Sequence, residues 1–404
     1  MGKISTDKNL INEFLDRGVE KIYPSKEALR QKLSSGDRIK AYQGFDPSGP
    51  FLHVGHAMGI RGLRILQKLG HEVIFLVGDY TAKVGDPDPN RDGARPILSE
   101  ETISKNMAGW KEQAGQLIDF EGENPVQFRH NFEWLSKLTL NDLILLMSKT
   151  TVQQMLERDL FQKRMGQNVP IGLQEFIYPL MQGFDSVAMQ VDLEIGGTDQ
   201  TFNMLTGRQL VKEYLGKEKF VRTNQMMEAP DGRTMSKTKG NGINLSDSEA
   251  VMYGKAMSYS DDLIFRAMTL LTNVTLKEIA EIEQQMKDGE NPMKFKKLMA
   301  FEVVKMIKGE KCAQEAQSHF EKTVQNKEIT EDLTEETAVS GNMTLLDFLK
   351  KSDTAGTSTS ELKRVIEQGG VEIDGTKITD PTKTIDFKSG SVVKKGKRKF
   401  IKVV

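Results

Sequence analysis

The chain has 404 residues, 38% hydrophobic and 28% charged, with a net charge of −1. That length predicts two or three domains, and near-neutrality excludes a global field that would draw the chain onto nucleic acid, so any RNA site must be a local patch. The only cysteine, Cys312, excludes an intrachain disulfide and a cysteine-built zinc site, and fits a reducing cytoplasm.

Residues 1–6 lack the apolar core of a signal peptide, although they formally match the short Met-Gly-x-x-x-Ser/Thr myristoylation pattern. No apolar run approaches the ~20 residues needed to span a bilayer. Residues 7–34 read as helical and amphipathic, with Leu10, Phe14 and Leu15 on one side. Residues 39–45 predict a strand, followed by a Gly- and Pro-rich turn and a helix over about 57–69 whose start carries His53-Val54-Gly55-His56. A helix start offers unpaired N–H groups and a positive dipole end, a ready site for phosphate. Gly55 permits a phosphate or adenine ring to approach the backbone. The two imidazoles can donate hydrogen bonds to phosphate oxygens as charge builds on them. Two of only five histidines fall in this box, which favours function over a chance surface pair.

Residues 72–79 predict the next strand. Strand, helix, strand at this spacing is a βαβ unit, and near-continuous apolar strands predict a parallel sheet covered on both faces. Sites in such sheets lie at the carboxyl ends of the strands, where the histidine box sits. Residues 85–96, rich in Gly, Pro and Asp, read as a loop. Helices are expected over 99–118 and 139–160, with a strand near 126–132 between them. This middle block is a natural place for a partner subunit or a substrate end.

The next expected helix, 174–190, has Pro179 in its first turn. It carries Tyr178, Gln182 and Asp185 at i, i+4 and i+7, which share one helix face. A phenol, an amide and a carboxylate at these steps indicate a polar pocket wall. A buried Asp185 needs partners, and a ligand hydroxyl or amine could be one. A strand over 191–195 ends at Gly196-Gly197-Thr198-Asp199-Gln200, which opens a helix to residue 215. Asp199 there suits ribose hydroxyls, or serves as a plain N-cap. The loop 229–241 carries Arg233-Thr234-Met235-Ser236-Lys237, and a lysine on such a loop can close over polyphosphate as a transition state forms.

Residues 247–320 read as helical throughout, and 325–342 as a polar, acidic linker. The tail 343–404 holds 13 Lys and Arg against 8 Asp and Glu. A helix is expected over 360–368, a strand over 370–373, a turn at Asp374-Gly375 and a basic hairpin over 392–404. Lys363, Arg364 and the lysines from Lys394 onward would form a positive face of the kind that binds phosphate backbones.

Taken in order, these motifs resemble the class I aminoacyl-tRNA synthetases. The two signatures of that family, His-Ile-Gly-His and Lys-Met-Ser-Lys-Ser, stand here as His53-Val54-Gly55-His56 and Thr234-Met235-Ser236-Lys237-Thr238. Tyr42-x-Gly-Phe-Asp-Pro, Gly85-Asp86-Pro87, the Tyr178–Gln182–Asp185 helix and Gly196-Gly197-Thr198-Asp199-Gln200 resemble the tyrosyl-tRNA synthetase branch. The tail resembles an S4 RNA-binding domain, so the resemblance covers nearly the whole chain. It implies an α/β, Rossmann-like parallel-sheet catalytic domain over 1–245 with a helical insertion at about 90–190. An α-helical domain over 246–326, a linker over 327–342 and a small α+β S4-like domain over 343–404 would follow.

The implied activity is formation of tyrosyl-adenylate and pyrophosphate from L-tyrosine and ATP with Mg²⁺, then transfer of tyrosine to tRNA(Tyr). The implied enzyme is cytoplasmic and a homodimer joined through the middle block. By the same resemblance, Tyr42 and Asp185 would hold the substrate phenol, and Asp86, Tyr178 and Gln182 its α-amino group. Gln200 would lie near the carboxylate and the reacting phosphate. Asp46, Gly55, Gly197, Asp199 and Lys237 would contact ATP, with Asp199 on the ribose. His53, His56 and Lys237 would stabilise the transition state. Thr234 departs from the second signature, with Arg233 and Lys239 as the nearest replacements for its first lysine. Tryptophanyl-tRNA synthetase shares the architecture, but an indole has one donor and no hydroxyl, which argues against it given Tyr42 and Asp185. A small His-x-Gly-His nucleotidylyltransferase would lack the Met-Ser-Lys loop and the basic tail. A non-catalytic RNA-binding descendant of a synthetase would not need the intact set of motifs.

Overall fold

The computed structural model describes residues 3–87, 97–230, 242–325, 334–352, 357–396 and 399–403. The chain divides into two compact units, Met1–Gln317 and Ser318–Val404. Among the described residues of the first unit, six strands form one sheet: β1 (Val19–Tyr23), β2 (Lys40–Phe45), β3 (Glu72–Val77), β4 (Gln127–His130), β5 (Leu193–Gly197) and β6 (Phe220–Asn224). Their spatial order is β1-β6-β5-β2-β3-β4, with β1 antiparallel at one edge and every other pair parallel. Val73 through Val77 are all buried, as a strand covered on both faces requires.

The order reverses between β2 and β5. β2 pairs with β3 along its length, from Lys40↔Glu72 to Phe45↔Val77, but with β5 only at Ala41↔Leu193 and Tyr42↔Glu194. Beyond those pairs the ladder stops and the carboxyl ends of β2 and β5 separate. A crevice at such a switch point is where open α/β sheets bind ligands.

Several expectations change in detail. The helix expected over 7–34 is two helices, Lys8–Asp16 and Lys26–Ser34, with β1 between them. Asp7 and Ser25 each cap a helix of their own. Gly18 takes a positive φ that breaks the first helix from β1. β1 and β6 escape a local reading because each is defined by pairing with a strand far away in the chain. The block 99–118 is split at Gly109 into Glu100–Met107 and Trp110–Gly115. Thr139 and Thr151 open separate helices, Leu140–Met147 and Val152–Leu156, and Asp159–Gly166 follows. The insertion is not helical alone, because β4 lies within it and extends the sheet beside β3. Pro179 lies in the interior of the helix Leu173–Ala188, not in its first turn. The side chain of Glu175, one turn earlier, accepts from Gly172 N at 2.8 Å and from buried Arg164 at 2.5 Å, which fixes the helix start.

The region 247–320 is a run of helices, Glu249–Met257, Ile264–Leu271, Leu276–Lys287, Pro292–Lys308 and Glu310–Phe320. One arginine fastens this run to the sheet layer. Arg17 is buried, and its guanidinium donates to the carbonyls of Met268, Thr269, Thr272 and Val274 at 2.6–3.0 Å, at the C-terminal end of Ile264–Leu271. A cation there also meets the negative end of the helix dipole. Arg61 adds a 2.6 Å bond to the Thr272 carbonyl and pairs with Glu13. Replacing Arg17 by Leu takes the guanidinium from the Thr269 and Val274 carbonyls, while Thr272 keeps Arg61 and Met268 keeps the Thr272 hydroxyl, and lowers unfolding stability by about 3 kcal/mol. Urea denaturation measures this, and a loss below about 1 kcal/mol contradicts the clamp.

In the second unit the described strands β7 (Thr334–Thr337), β9 (Val371–Ile373), β10 (Thr376–Ile378), β12 (Val392–Lys395) and β13 (Lys399–Val403) form a sheet in the order β10-β9-β12-β13-β7. β8 (Gly341–Thr344) and β11 (Thr384–Phe387) pair separately. Helices Leu345–Ser352 and Thr359–Glu367 supply Phe348, Leu349, Leu362 and Ile366 to a core shared with Val371, Phe387, Val393 and Ile401. Asp374 and Gly375 both take positive φ, as a tight hairpin turn demands. The segment read as a linker contributes β7, parallel to β13, and the start of β8.

Candidate active site

The crevice between β2 and β5 holds a cavity of about 440 Å³, within the range of small-molecule sites. One wall comes from β2 and the turn after it, another from the end of β5, and a third from the helix Leu173–Ala188. That helix packs closely on Thr201–Leu215, because Gly183 faces Gly207 at a spacing that leaves no room for a Cβ. Its polar face therefore turns to the crevice. Tyr42, Asp46, His53, Gly55, His56, Asp86, Tyr178, Gln182, Asp185, Gly197, Asp199 and Gln200 all line this single cavity. Lys237, with Arg233, Thr234 and Lys239, lies outside the described residues. The chain on either side of that segment is at the site. Met226 and Met227 line the cavity, and Tyr259 Oη donates to the Glu228 carbonyl at 3.0 Å. On the far side, Val54 N donates to the Ile243 carbonyl at 2.9 Å and Leu245 N to the Leu52 carbonyl at 2.8 Å, beside the histidine box.

At one end of the cavity stand Tyr42 and Asp185. Both are buried. Burial, then the nearby Glu194 and Asp185, push the Tyr42 phenol well above its ordinary pKa, so it keeps its proton. Tyr42 Oη lies 2.8 Å from Ser186 Oγ. Asp185 accepts from Trp134 Nε1 at 2.7 Å and from Asn131 Nδ2 at 3.1 Å. Burial pushes its carboxyl well above the usual carboxylate range, and the two N–H donors oppose that shift.

The middle of the cavity is a hydrogen-bonded mesh. Tyr178 Oη donates to Asp46 Oδ2 at 2.9 Å, and Thr81 Oγ1 donates to Asp46 Oδ1 at 2.8 Å. The structure thus joins a residue expected at the amino acid to one expected at ATP. Asp86 accepts from Gln200 Nε2 at 2.8 Å, Asn203 Nδ2 at 3.2 Å and Arg158 Nη2 at 3.3 Å. Gln182 Nε2 donates to Glu194 Oε1 at 3.1 Å.

At the other end, His53 is the N-cap of the helix Val54–Lys68. His56 Nδ1 accepts from the His53 backbone N–H at 3.0 Å. A neutral His56 therefore carries its ring proton on Nε2, as a donor. The two imidazoles stand 3.9 Å apart, centroid to centroid. Asp199, just past the end of β5 at Gly197, is exposed and lines the same cavity. Among the described residues no cluster of three or more His, Cys, Asp or Glu could hold a metal ion.

Sequence reasoning missed Asn131 and Trp134, which follow β4, and Glu194, Ser186 and Lys219 behind Tyr42. The one visible signal was Glu194, a charged residue amid the apolar stretch of β5.

Comparison with known proteins places these features. Residues 34–325 match the family model for tRNA synthetases class I (W and Y). The chain is 42% identical over 381 residues to a tyrosine–tRNA ligase of Thermotoga maritima, covering 94% of each. It is 40% identical over 401 residues to one from Dehalococcoides mccartyi, covering 98% of this chain and 99% of the relative. Among solved structures, a truncated mitochondrial tyrosyl-tRNA synthetase of Coccidioides posadasii superposes with a TM-score of 0.62 at 23% identity, over 77% of this chain and 91% of that one. A tyrosyl-tRNA synthetase of Archaeoglobus fulgidus complexed with L-tyrosine superposes with a TM-score of 0.60 at 21% identity, over 77% of this chain and 99% of that one. At such identities these two likenesses show the fold.

Proposed function

This chain belongs to the class I tRNA synthetases of the tryptophan and tyrosine group, and from that premise we propose that its cavity activates L-tyrosine with ATP as a tyrosine–tRNA ligase. The observation that carries the reading is the pairing, at one end of the cavity, of the Tyr42 phenol with the Asp185 carboxylate. With Asp185 ionised, the form its two N–H donors favour, a ligand that meets both accepts from Tyr42 and donates to Asp185. A phenol hydroxyl does both, whereas an indole N–H only donates. A site with buried polar groups left unpaired rejects the wrong ligand strongly. Tyrosyl-tRNA synthetases are themselves the established example of that effect, at ~10⁵ against phenylalanine, a magnitude that belongs to those enzymes and is not deduced from this cavity.

The chemistry needs no covalent enzyme intermediate. A tyrosine carboxylate oxygen attacks the α-phosphorus of ATP. The new O–P bond forms as the bond to the bridging oxygen breaks, and that electron pair leaves with pyrophosphate. The chain aligns the two substrates and donates to the phosphate oxygens as charge develops. The start of Val54–Lys68 and His56 Nε2–H suit that role, and Lys237, outside the described residues, would join them by the family resemblance. Gln182 and Asp86 would meet the ammonium group and Asp199 the ribose. Mg²⁺ would travel with the pyrophosphate, since it keeps several waters and needs no all-protein cage.

Transfer to tRNA(Tyr) follows, in the cytoplasm. The exposed Lys363 and Arg364 of the second unit support an RNA role for that unit. Exposed Leu140, Ile144, Leu145 and Val152 in the middle block support a homodimer. No described helix is long and apolar enough to cross a membrane. The test is pyrophosphate exchange with ATP and each amino acid in turn. Tyrosine alone should support exchange; exchange with tryptophan, or none with tyrosine, overturns the reading.

A further inference from the structure

At the wall of the cavity, which Glu194 lines, lies a buried ion pair that the reaction itself does not use. Lys219, just before β6, and Glu194, on β5, are both essentially inaccessible and joined by a salt bridge. Such a pair is weak evidence for stability, since its members lose hydration that a hydrophobic pair would not. Its contacts point elsewhere. Lys219 Nζ donates to Ser186 Oγ at 2.7 Å and to the Met204 carbonyl at 3.3 Å. Ser186 Oγ lies 2.8 Å from Tyr42 Oη, and 3.4 Å from Glu194 Oε2. On the other side of the pair, Glu194 Oε1 accepts from Gln182 Nε2 at 3.1 Å.

Resting on the tyrosine reading, we infer that the Lys219–Glu194 pair sets the hydrogen-bond polarity at both ends of the amino-acid site, presenting Tyr42 as a donor and Gln182 as an acceptor. An ammonium can only donate, so Ser186 Oγ must accept from Lys219. Ser186 has one proton, and the nearer of its two remaining acceptors is Tyr42 Oη. With a lone pair of Tyr42 so occupied, its own proton is left for Glu194, which also lies within hydrogen-bond reach, or for a ligand in the cavity. A phenol hydroxyl placed there accepts from Tyr42 and gives its proton to Asp185. The chain of bonds then runs one way, from a group that only donates to one that only accepts when ionised. The second arm follows the same logic. An ionised carboxylate only accepts, so Gln182 must offer Glu194 its NH₂ group. That leaves Gln182 Oε1, a buried acceptor with no partner among the described residues, for a ligand on the cavity wall. An α-ammonium group is a ligand that only donates.

Lys219, Glu194 and Ser186 are thus positioning residues, and their loss should move specificity more than rate. Ser186→Ala cuts the link to Tyr42 while leaving the ion pair and the core intact. It should raise KM for tyrosine about 10-fold and lower the tyrosine-over-phenylalanine ratio of kcat/KM by at least that factor, with kcat and KM for ATP within about twofold. The double variant Lys219→Met, Glu194→Gln removes both charges together, so neither is left buried alone. It frees both arms, and should raise KM for tyrosine by about 100-fold. Circular dichroism and a cooperative thermal unfolding transition establish that each variant is folded. If either folded variant keeps the wild-type tyrosine-over-phenylalanine ratio, or loses tyrosine and ATP affinity equally, the polarity device is wrong. If the wild-type protein shows no tyrosine-dependent exchange, it is the tyrosine reading that fails. Should the double variant not fold, Ser186→Ala alone decides.

Discussion

Asp185→Asn should lower kcat/KM for tyrosine in pyrophosphate exchange by about 10³-fold, while KM for ATP moves less than about twofold. The substitution keeps the shape and removes one acceptor. Both carboxylate oxygens already receive N–H groups, from Trp134 and Asn131. An amide offers only one oxygen to those two donors and turns an NH₂ group on one of them. It also meets the substrate hydroxyl with the wrong polarity or not at all. A buried donor left without a partner carries its full desolvation cost, about 1–3 kcal/mol for each group. Two such groups plus the lost substrate bond account for a 10³-fold effect. The effect should concentrate in KM, because the phenol is remote from the reacting phosphorus and is held alike in ground and transition states. A loss below about 10-fold would show that Asp185 is only a structural neighbour of the cavity.

His56→Ala should show the opposite split. Adenylate formation should slow by about 10²–10³-fold in kcat, with KM for tyrosine and for ATP nearly unchanged. His56 Nδ1 is engaged by the His53 backbone N–H, which leaves the Nε2 proton as its donor. A donor fixed at a helix start contributes most when negative charge on the α-phosphate oxygens peaks, which is at the transition state. Pre-steady-state formation of the adenylate separates this step from product release. A large rise in KM for ATP without loss of kcat would make His56 a ground-state contact, and would move the transition-state role elsewhere.

The two ends of the cavity differ in how well they could be read from sequence. The histidine box, the Gly196-Gly197 turn and the helix spacing of Tyr178, Gln182 and Asp185 are local patterns, and local patterns survive without a fold. Asp185 was visible as one of three polar residues sharing a face of a largely apolar helix. Its partners were not, because Asn131 and Trp134 reach it only once β4 has added to the sheet beside β3. The same holds for Lys219 and Glu194, which meet because β5 and β6 are neighbours. The misread segments have a similar cause. Val19–Tyr23 is short and carries charged residues, and only its antiparallel partner β6 makes it a strand. Pro179 was placed near a helix start by its usual habit, whereas the Arg164–Glu175 pair and the close fit of Gly183 on Gly207 hold that helix through it.

The anchors on either side of residues 231–241 have a further consequence. Tyr259 holds the backbone on one side, and Leu52 and Val54 hold it on the other, all at the rim of the same crevice. Any side chain carried between those two anchors is therefore covalently tied to the crevice, and meets the phosphates at an effective molarity set by contour length. Encounter is then unimolecular and indifferent to how much enzyme a cell contains.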